Sequence, residues 1–199
     1  MLQPKWLPLL FYICYNVLAM KDKRIKTYNI ILCGLMAAIM CILAPLSIPM
    51  TVPVTLGTFV IFLMTYIMNY KYCLVSCVIY ILLGMVGLPV FSGFSGGLGK
   101  IIGPTGGYIL GYLFIALICG YVNERFYNKR GIQILGMLIS LIVCYAFGTL
   151  WFSYQQNMSV GESLIVCVYP FVIGDICKII CAAIVGDTLR KRINIRRNI

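Results

Sequence analysis

Apolar runs of 15 to 24 residues recur along this chain, separated by short polar or charged turns. Runs of that length leave few folding options. An α-helix satisfies its own backbone polar groups, so it can stand where no water reaches them. About 20 apolar residues in helical form cross the ~30 Å hydrocarbon core of a bilayer. Composition argues against a soluble alternative: 62% of the 199 residues are hydrophobic and 11% charged, whereas soluble domains carry about a quarter charged residues. The expected fold is an all-α integral membrane protein with six transmembrane helices. These are read at Thr27–Leu46, Thr55–Asn69, Cys73–Val86, Pro104–Val122, Ile132–Phe152 and Ser163–Gly186. The first 19 residues contain a short apolar stretch, Trp6–Leu18, interrupted by Pro8. They are expected to be an N-terminal extension outside a core of residues 20–199.

Counting charges by side orients the six spans. One side receives Lys21, Lys23, Arg24, Lys26, Lys71, Arg125, Lys129, Arg130, Arg190, Lys191, Arg192, Arg196 and Arg197, 13 of the 16 cations. The other side receives Lys100 alone, with Lys178 inside a span and Lys5 in the extension. Cations accumulate on the cytoplasmic side of membrane proteins. Both core termini are therefore expected in the cytoplasm, in a multi-pass protein of a bacterial or archaeal cell membrane. The net charge of +11 is accounted for by topology and attraction to the lipid bilayer or acidic partners, so nucleic acid is not invoked.

Two features carry chemistry. Asp175 and Lys178 sit three apart inside the last span, on one helical face. Ionisable groups within spans are rare, face the interior and usually mark function. A self-neutralising structural pair is the competing reading, and the two are compatible if a ligand opens the pair. The second feature is Gly87–Tyr108, in which eight of 22 residues are glycine. Such a stretch lets backbone N–H and C=O groups approach a ligand, and irregular backbone at membrane depth is tolerated where it lines a cavity or is buried. A loose external loop is the alternative. Beyond it, Gly103-Pro104-Thr105-Gly106 opens a helix whose N-terminus suits a carboxylate, and Lys100 either adds a charge there or is simply solvated. Phe91, Phe94, Tyr108, Tyr145 and Trp151 form either an apolar wall or an interfacial belt.

Several enzymatic readings fail. The chain has no histidine, so Gly93-Phe94-Ser95-Gly96-Gly97 lacks the base a nucleophile elbow requires. Gly97-Leu98-Gly99-Lys100 fits neither nucleotide-loop template, because position 102 is isoleucine and no Ser or Thr follows Lys100. The ten cysteines lie mostly in apolar segments and read as small packing residues. A small-solute binder with no engine of its own is what the residues alone support.

Three spaced segments extend the argument: SIPMTVPVTLGTF at Ser47–Phe59, GLPVFSGFSGGLG followed by GPTGGYILGY, and PFVIGDICK at Pro170–Lys178. Together they resemble the BioY family, the biotin-binding S components of energy-coupling factor (ECF) transporters. The resemblance implies an S-component bundle that binds biotin and carries no enzyme activity or cofactor. Its implied partners are a transmembrane coupling subunit and two ATPase subunits. The implied substrate-binding residues are Asp175, Lys178, Lys100, Phe91, Gly96, Gly97, Thr105, Gly106 and Tyr108. The implied docking face is the small-residue face of the first span, Gly34, Ala37 and Ala38, although a packing role inside the bundle is equally open from sequence. One departure is Gly57, where many relatives have glutamine. The rival function is a solitary, proton-coupled transporter of biotin or another small carboxylate, with Asp175 as the relay.

Overall fold

The computed structural model describes residues 23–48, 52–127 and 129–197. The proposed extension, residues 1–19, lies outside the described residues. Eight helices and one short hairpin follow in order: α1 (Lys23–Leu43), β1 (Ser47–Ile48), β2 (Val54–Thr55), α2 (Gly57–Ile67), α3 (Tyr70–Val86), α4 (Leu98–Ile102), α5 (Gly106–Arg125), α6 (Arg130–Gln156), α7 (Val160–Cys167) and α8 (Val172–Arg197). The two strands pair antiparallel, Ser47 with Thr55 and Ile48 with Val54. This is an all-α membrane bundle, whose paired strands among the described residues are confined to the short hairpin, with one isolated bridge, Phe91 to Ser95, in the glycine-rich loop.

The helices are unequal in length. Among the described residues, α5 and α6 are each long and apolar enough to cross a membrane, and α7 with α8 meets the same measure only when the two are taken together across a 54° bend. The second expected span is much shorter than read: α2 has 11 residues, about 16 Å of helix at 1.5 Å per residue. Ser47-Ile-Pro-Met-Thr-Val-Pro precedes it, and its two prolines withhold backbone donors from any helix there. The fourth span begins at Gly106 rather than Pro104, because Gly103 to Thr105 form a turn in which the Gly106 N–H donates to Gly103 O at 3.0 Å.

The sixth span is not continuous. Pro170 has no N–H to return to the preceding turn. Val168 and Tyr169 instead both donate to Leu164 O, at 2.9 and 3.2 Å, and close α7. The helix restarts at Val172, with the Asp175 N–H donating to Phe171 O at 2.8 Å. Asp175 therefore lies in a helical first turn, where the N-terminal dipole favours an anion. At its other end α8 runs on through the expected tail to Arg197, since no glycine or proline interrupts it after Gly186.

One core cluster is enclosed by α1, α2, α3, α5, α6 and α8, with Met40, Ile61, Phe62, Met64, Tyr72, Tyr80, Ile115 and Met137 at its centre. A smaller one joins Val52 to Phe152, Cys167 and Phe171. The glycine-rich stretch is folded onto this core. Phe91 is fully buried, its ring edge-on to Tyr80 at 5.6 Å, over Gly84, where a Cβ would sit 2.0 Å from the ring. Gly97, at φ +93°, returns its N–H to Gly84 O at 2.7 Å. Gly106 brings α5 against α4 so closely that a Cβ there would lie 1.6 Å from Ile101 O.

The opposite end of the bundle gathers the charged turns. Tyr70, at the start of α3, donates its N–H to the Glu124 carboxylate at 3.3 Å. Arg190 departs from the solvent-facing role expected of the cations counted as topological signals. It is buried, and its guanidinium donates to Tyr66 O, Tyr127 O and Asn123 O at 3.0, 3.0 and 3.2 Å. Those carbonyls lie at the C-terminal ends of α2 and α5 and in the turn to α6, where helices leave carbonyls unpaired.

Candidate functional site

A cleft lies where the hairpin, α2, α5, α6 and α8 converge. Val52, Pro53 and Thr55 form one wall, Tyr108 and Tyr112 another, Leu141, Cys144 and Tyr145 a third, and Thr58, Phe171, Asp175 and Lys178 complete it. Its polar centre is a single network. The Lys178 ammonium donates to Asp175 Oδ1 at 2.7 Å and to Thr55 O at 2.7 Å, with Thr58 Oγ1 at 3.3 Å. Thr58 in turn donates to Asp175 Oδ1 at 3.4 Å, and the Tyr145 hydroxyl donates to Oδ2. Both carboxylate oxygens are thus engaged from three helices, α2, α6 and α8.

Burial sets the energetics. The side chains of Lys178 and Asp175 are 12% and 5% exposed, so water screens their attraction little. Removing one partner of such a buried pair leaves an uncompensated charge, a cost of about 3–5 kcal/mol. The remaining walls are apolar or aromatic. A pair of opposite charges inside an apolar wall suits a neutral group of a small solute that both donates and accepts hydrogen bonds. The cleft holds about 50 Å³, against roughly 10–15 Å³ for one water, so a larger solute must widen it.

The structure divides the sequence-derived residues into separate neighbourhoods. Asp175, Lys178 and Tyr108 line the cleft. Lys100 and Thr105 instead line a second cavity of about 340 Å³ with Gly103, Phe152 and Gln156. Phe91 is core, and Gly96 packs on the backbone at Leu88. Gly97 and Gly106 serve the loop and helix packing given above. On α1, Ala37 is buried, whereas Gly34 and Ala38 are exposed, with nothing within 4 Å of a Cβ at Gly34.

Thr55, Thr58 and Tyr112 were missed in the sequence. The signal for the two threonines is their place in and just after the proline-broken stretch, Thr55 in β2 and Thr58 in the first turn of α2. Tyr112 has no polar neighbour in sequence that marks it out from the other aromatics of its span. Its hydroxyl lies 2.8 Å from Thr55 Oγ1. A Cβ at Gly57 would lie 2.9 Å from that hydroxyl, so Tyr112 occupies the space into which a side chain at 57 would begin.

Comparison with known proteins agrees with this architecture. Residues 20–195 match the family model described as the BioY family. The chain belongs to the BioY family. A probable biotin transporter BioY from Pyrococcus horikoshii is 35% identical over 120 residues, 60% of this chain and 69% of that protein. The biotin transporter BioY2 of Lactococcus lactis is 32% identical over 169 residues, 82% of this chain and 91% of that protein. Among solved structures, the S-component for biotin from an ECF-type ABC transporter superposes with a TM-score of 0.79 at 28% identity, covering 87% of this chain and 95% of that one. As a BioY-family member the chain is a transport component rather than an enzyme.

Proposed function

We propose that this chain binds biotin as the substrate-specific component of an ECF-type transporter and delivers it across the cell membrane. The observation that carries the proposal is the buried Asp175–Lys178 pair held by Thr58 and Tyr145 in a cleft with apolar walls. The ureido ring of biotin offers two N–H donors and one carbonyl acceptor. Asp175 accepts from the ring nitrogens and Lys178 donates to the carbonyl. To do so, the ammonium gives up part of its present set, of which the 3.3 Å contact to Thr58 Oγ1 is the longest. Tyr108, Tyr112 and Phe171 flank the sulfur ring. Thr105 lies three residues before Tyr108, at the start of α5, so a valerate chain running along that turn leads its carboxylate toward Thr105 and Lys100.

The chain has no ATP site by motif, so a transmembrane coupling subunit and two ATPase subunits supply the work. Gly34 and Ala38, exposed on α1, are the small surface on which the coupling subunit docks. The basic end of the bundle faces the cytoplasm.

Labelled biotin binding to the purified protein, with a double substitution, tests the site. Asp175→Asn and Lys178→Met singly lose expression or affinity, because each leaves a buried charge unpaired. Asp175→Asn with Lys178→Met restores neutrality. It is expected to recover expression and yet bind biotin ten- to a hundredfold more weakly, the equivalent of roughly 1–3 kcal/mol of lost hydrogen bonding. Binding at full affinity by the double variant removes the pair from the site.

A further inference from the structure

A groove separate from the cleft opens between α6 and α8 at the basic end. It holds about 320 Å³. Its floor is aliphatic, formed by Ile134 from α6 with Ile180 and Ile184 from α8, all three exposed. Its mouth is ionic. Arg130 from α6 and Lys191 from α8 converge on one carboxylate, Asp187, in direct contact with Arg130 and 3.5 Å from Lys191. Their side chains are 71% and 68% exposed, while that of Asp187 is 19% exposed. The carboxylate is thus turned inward beneath two cations that keep most of their donors outward.

We propose that this groove binds the headgroup and upper acyl chain of an anionic phospholipid. Two cations on one carboxylate leave one net positive charge at the mouth, which matches the single negative charge of a phosphodiester. The carboxylate is already shared by both cations, so it has little to offer the ammonium of a zwitterionic lipid. The isoleucines directly below continue as an apolar track for a chain. The junction of charged mouth and apolar floor coincides with the end of the bundle where helix surface changes from apolar to basic, the level of lipid headgroups. Basic pockets between transmembrane helices at that level are recurrent sites for anionic headgroups. A bound lipid would also bridge α6 and α8, which the Arg130–Asp187 pair joins here.

Mass spectrometry of the intact protein released from mild detergent, titrated with phosphatidylglycerol or phosphatidylcholine, tests this. Wild type is expected to retain one phosphatidylglycerol with about tenfold preference. Arg130→Gln with Lys191→Gln should abolish the preference, while Lys71→Gln, a cation at the same end outside the groove, should leave it unchanged. Asp187→Asn exposes a second net positive charge and should tighten phosphatidylglycerol binding several-fold. A merely structural ion pair predicts no gain from it, and this variant decides the matter if the double variant does not fold. Equal retention of the two lipids by wild type, an unchanged preference in the double variant, or no tightening in Asp187→Asn each overturns the proposal. Displacement of the lipid by millimolar inorganic phosphate does so too, by assigning the groove to a free anion. None of these readouts involves biotin, so they stand or fall independently of the transport reading.

Discussion

At the scale of single residues, Tyr145 carries the sharpest consequence. Its hydroxyl holds one Asp175 oxygen from α6 while Lys178 and Thr58 hold the other. Tyr145→Phe keeps the ring in the cleft wall and removes one charge-directed hydrogen bond, a type worth about 1.5–3 kcal/mol. The protein should remain folded, because Asp175 keeps its ion pair. Biotin affinity should fall about tenfold or more if the carboxylate must be aimed to accept from the solute. Equilibrium binding to the purified variant measures this, and unchanged affinity would show that Tyr145 is packing alone. Arg190 illustrates a different residue-level lesson. By sequence it is one of many tail cations, yet it is buried and donates to three carbonyls from three segments.

At the scale of elements, the break between α7 and α8 determines where the acidic residue points. Pro170 interrupts the hydrogen-bond ladder, and the 54° bend follows. Pro170→Ala restores the missing donor and lets the ladder continue through residues 168–171. The first turn of α8 would then reorient, so biotin affinity should drop at least tenfold while helix content rises slightly. Circular dichroism with a binding titration checks both. Affinity unaffected by a straightened helix would mean that the bend does not position Asp175. The first helix makes the complementary prediction. Gly34→Leu adds bulk to a surface with nothing within 4 Å, so the isolated protein should fold and bind biotin normally. Co-purification with the coupling subunit should be lost; loss of binding by the isolated variant would instead place that face inside the bundle.

At the scale of the whole molecule, the two ends differ in character. One carries the glycine-rich loop, Lys100 and the second cavity; the other carries the charged turns, the Arg190 clamp and the groove between α6 and α8. This polarity supports a single orientation in the bilayer with the basic end inward. A reporter fused after Ile199 should be active only in its cytoplasmic form. Activity of the exported form would invert the topology and with it the proposed docking side.

Composition and apolar run length by themselves determined that this is a helical membrane protein, because a chain with so few charges and such long apolar runs can satisfy its backbone in lipid only as helices. Asp175 and Lys178 were legible for a related reason: a charge inside a span is too costly to keep without a partner, and three residues of spacing put the two on one face. The aromatic and threonine contribution was not legible. Thr55, Thr58 and Tyr112 come from three different segments, and their convergence with Tyr145, whose ring alone was read as wall or belt, depends on long-range packing that no local pattern encodes. The proline in PFVIGDICK was visible, but not the 54° angle of the bend or the cleft into which the restarted helix brings Asp175. The glycine-rich loop showed the limit most plainly. Its density suggested a ligand cradle, whereas the tertiary structure places Phe91, Gly96 and Gly106 in close backbone and ring packing. A glycine selected for room beside a neighbour reads the same in sequence as one selected for room beside a ligand, and only the position of the neighbour distinguishes them.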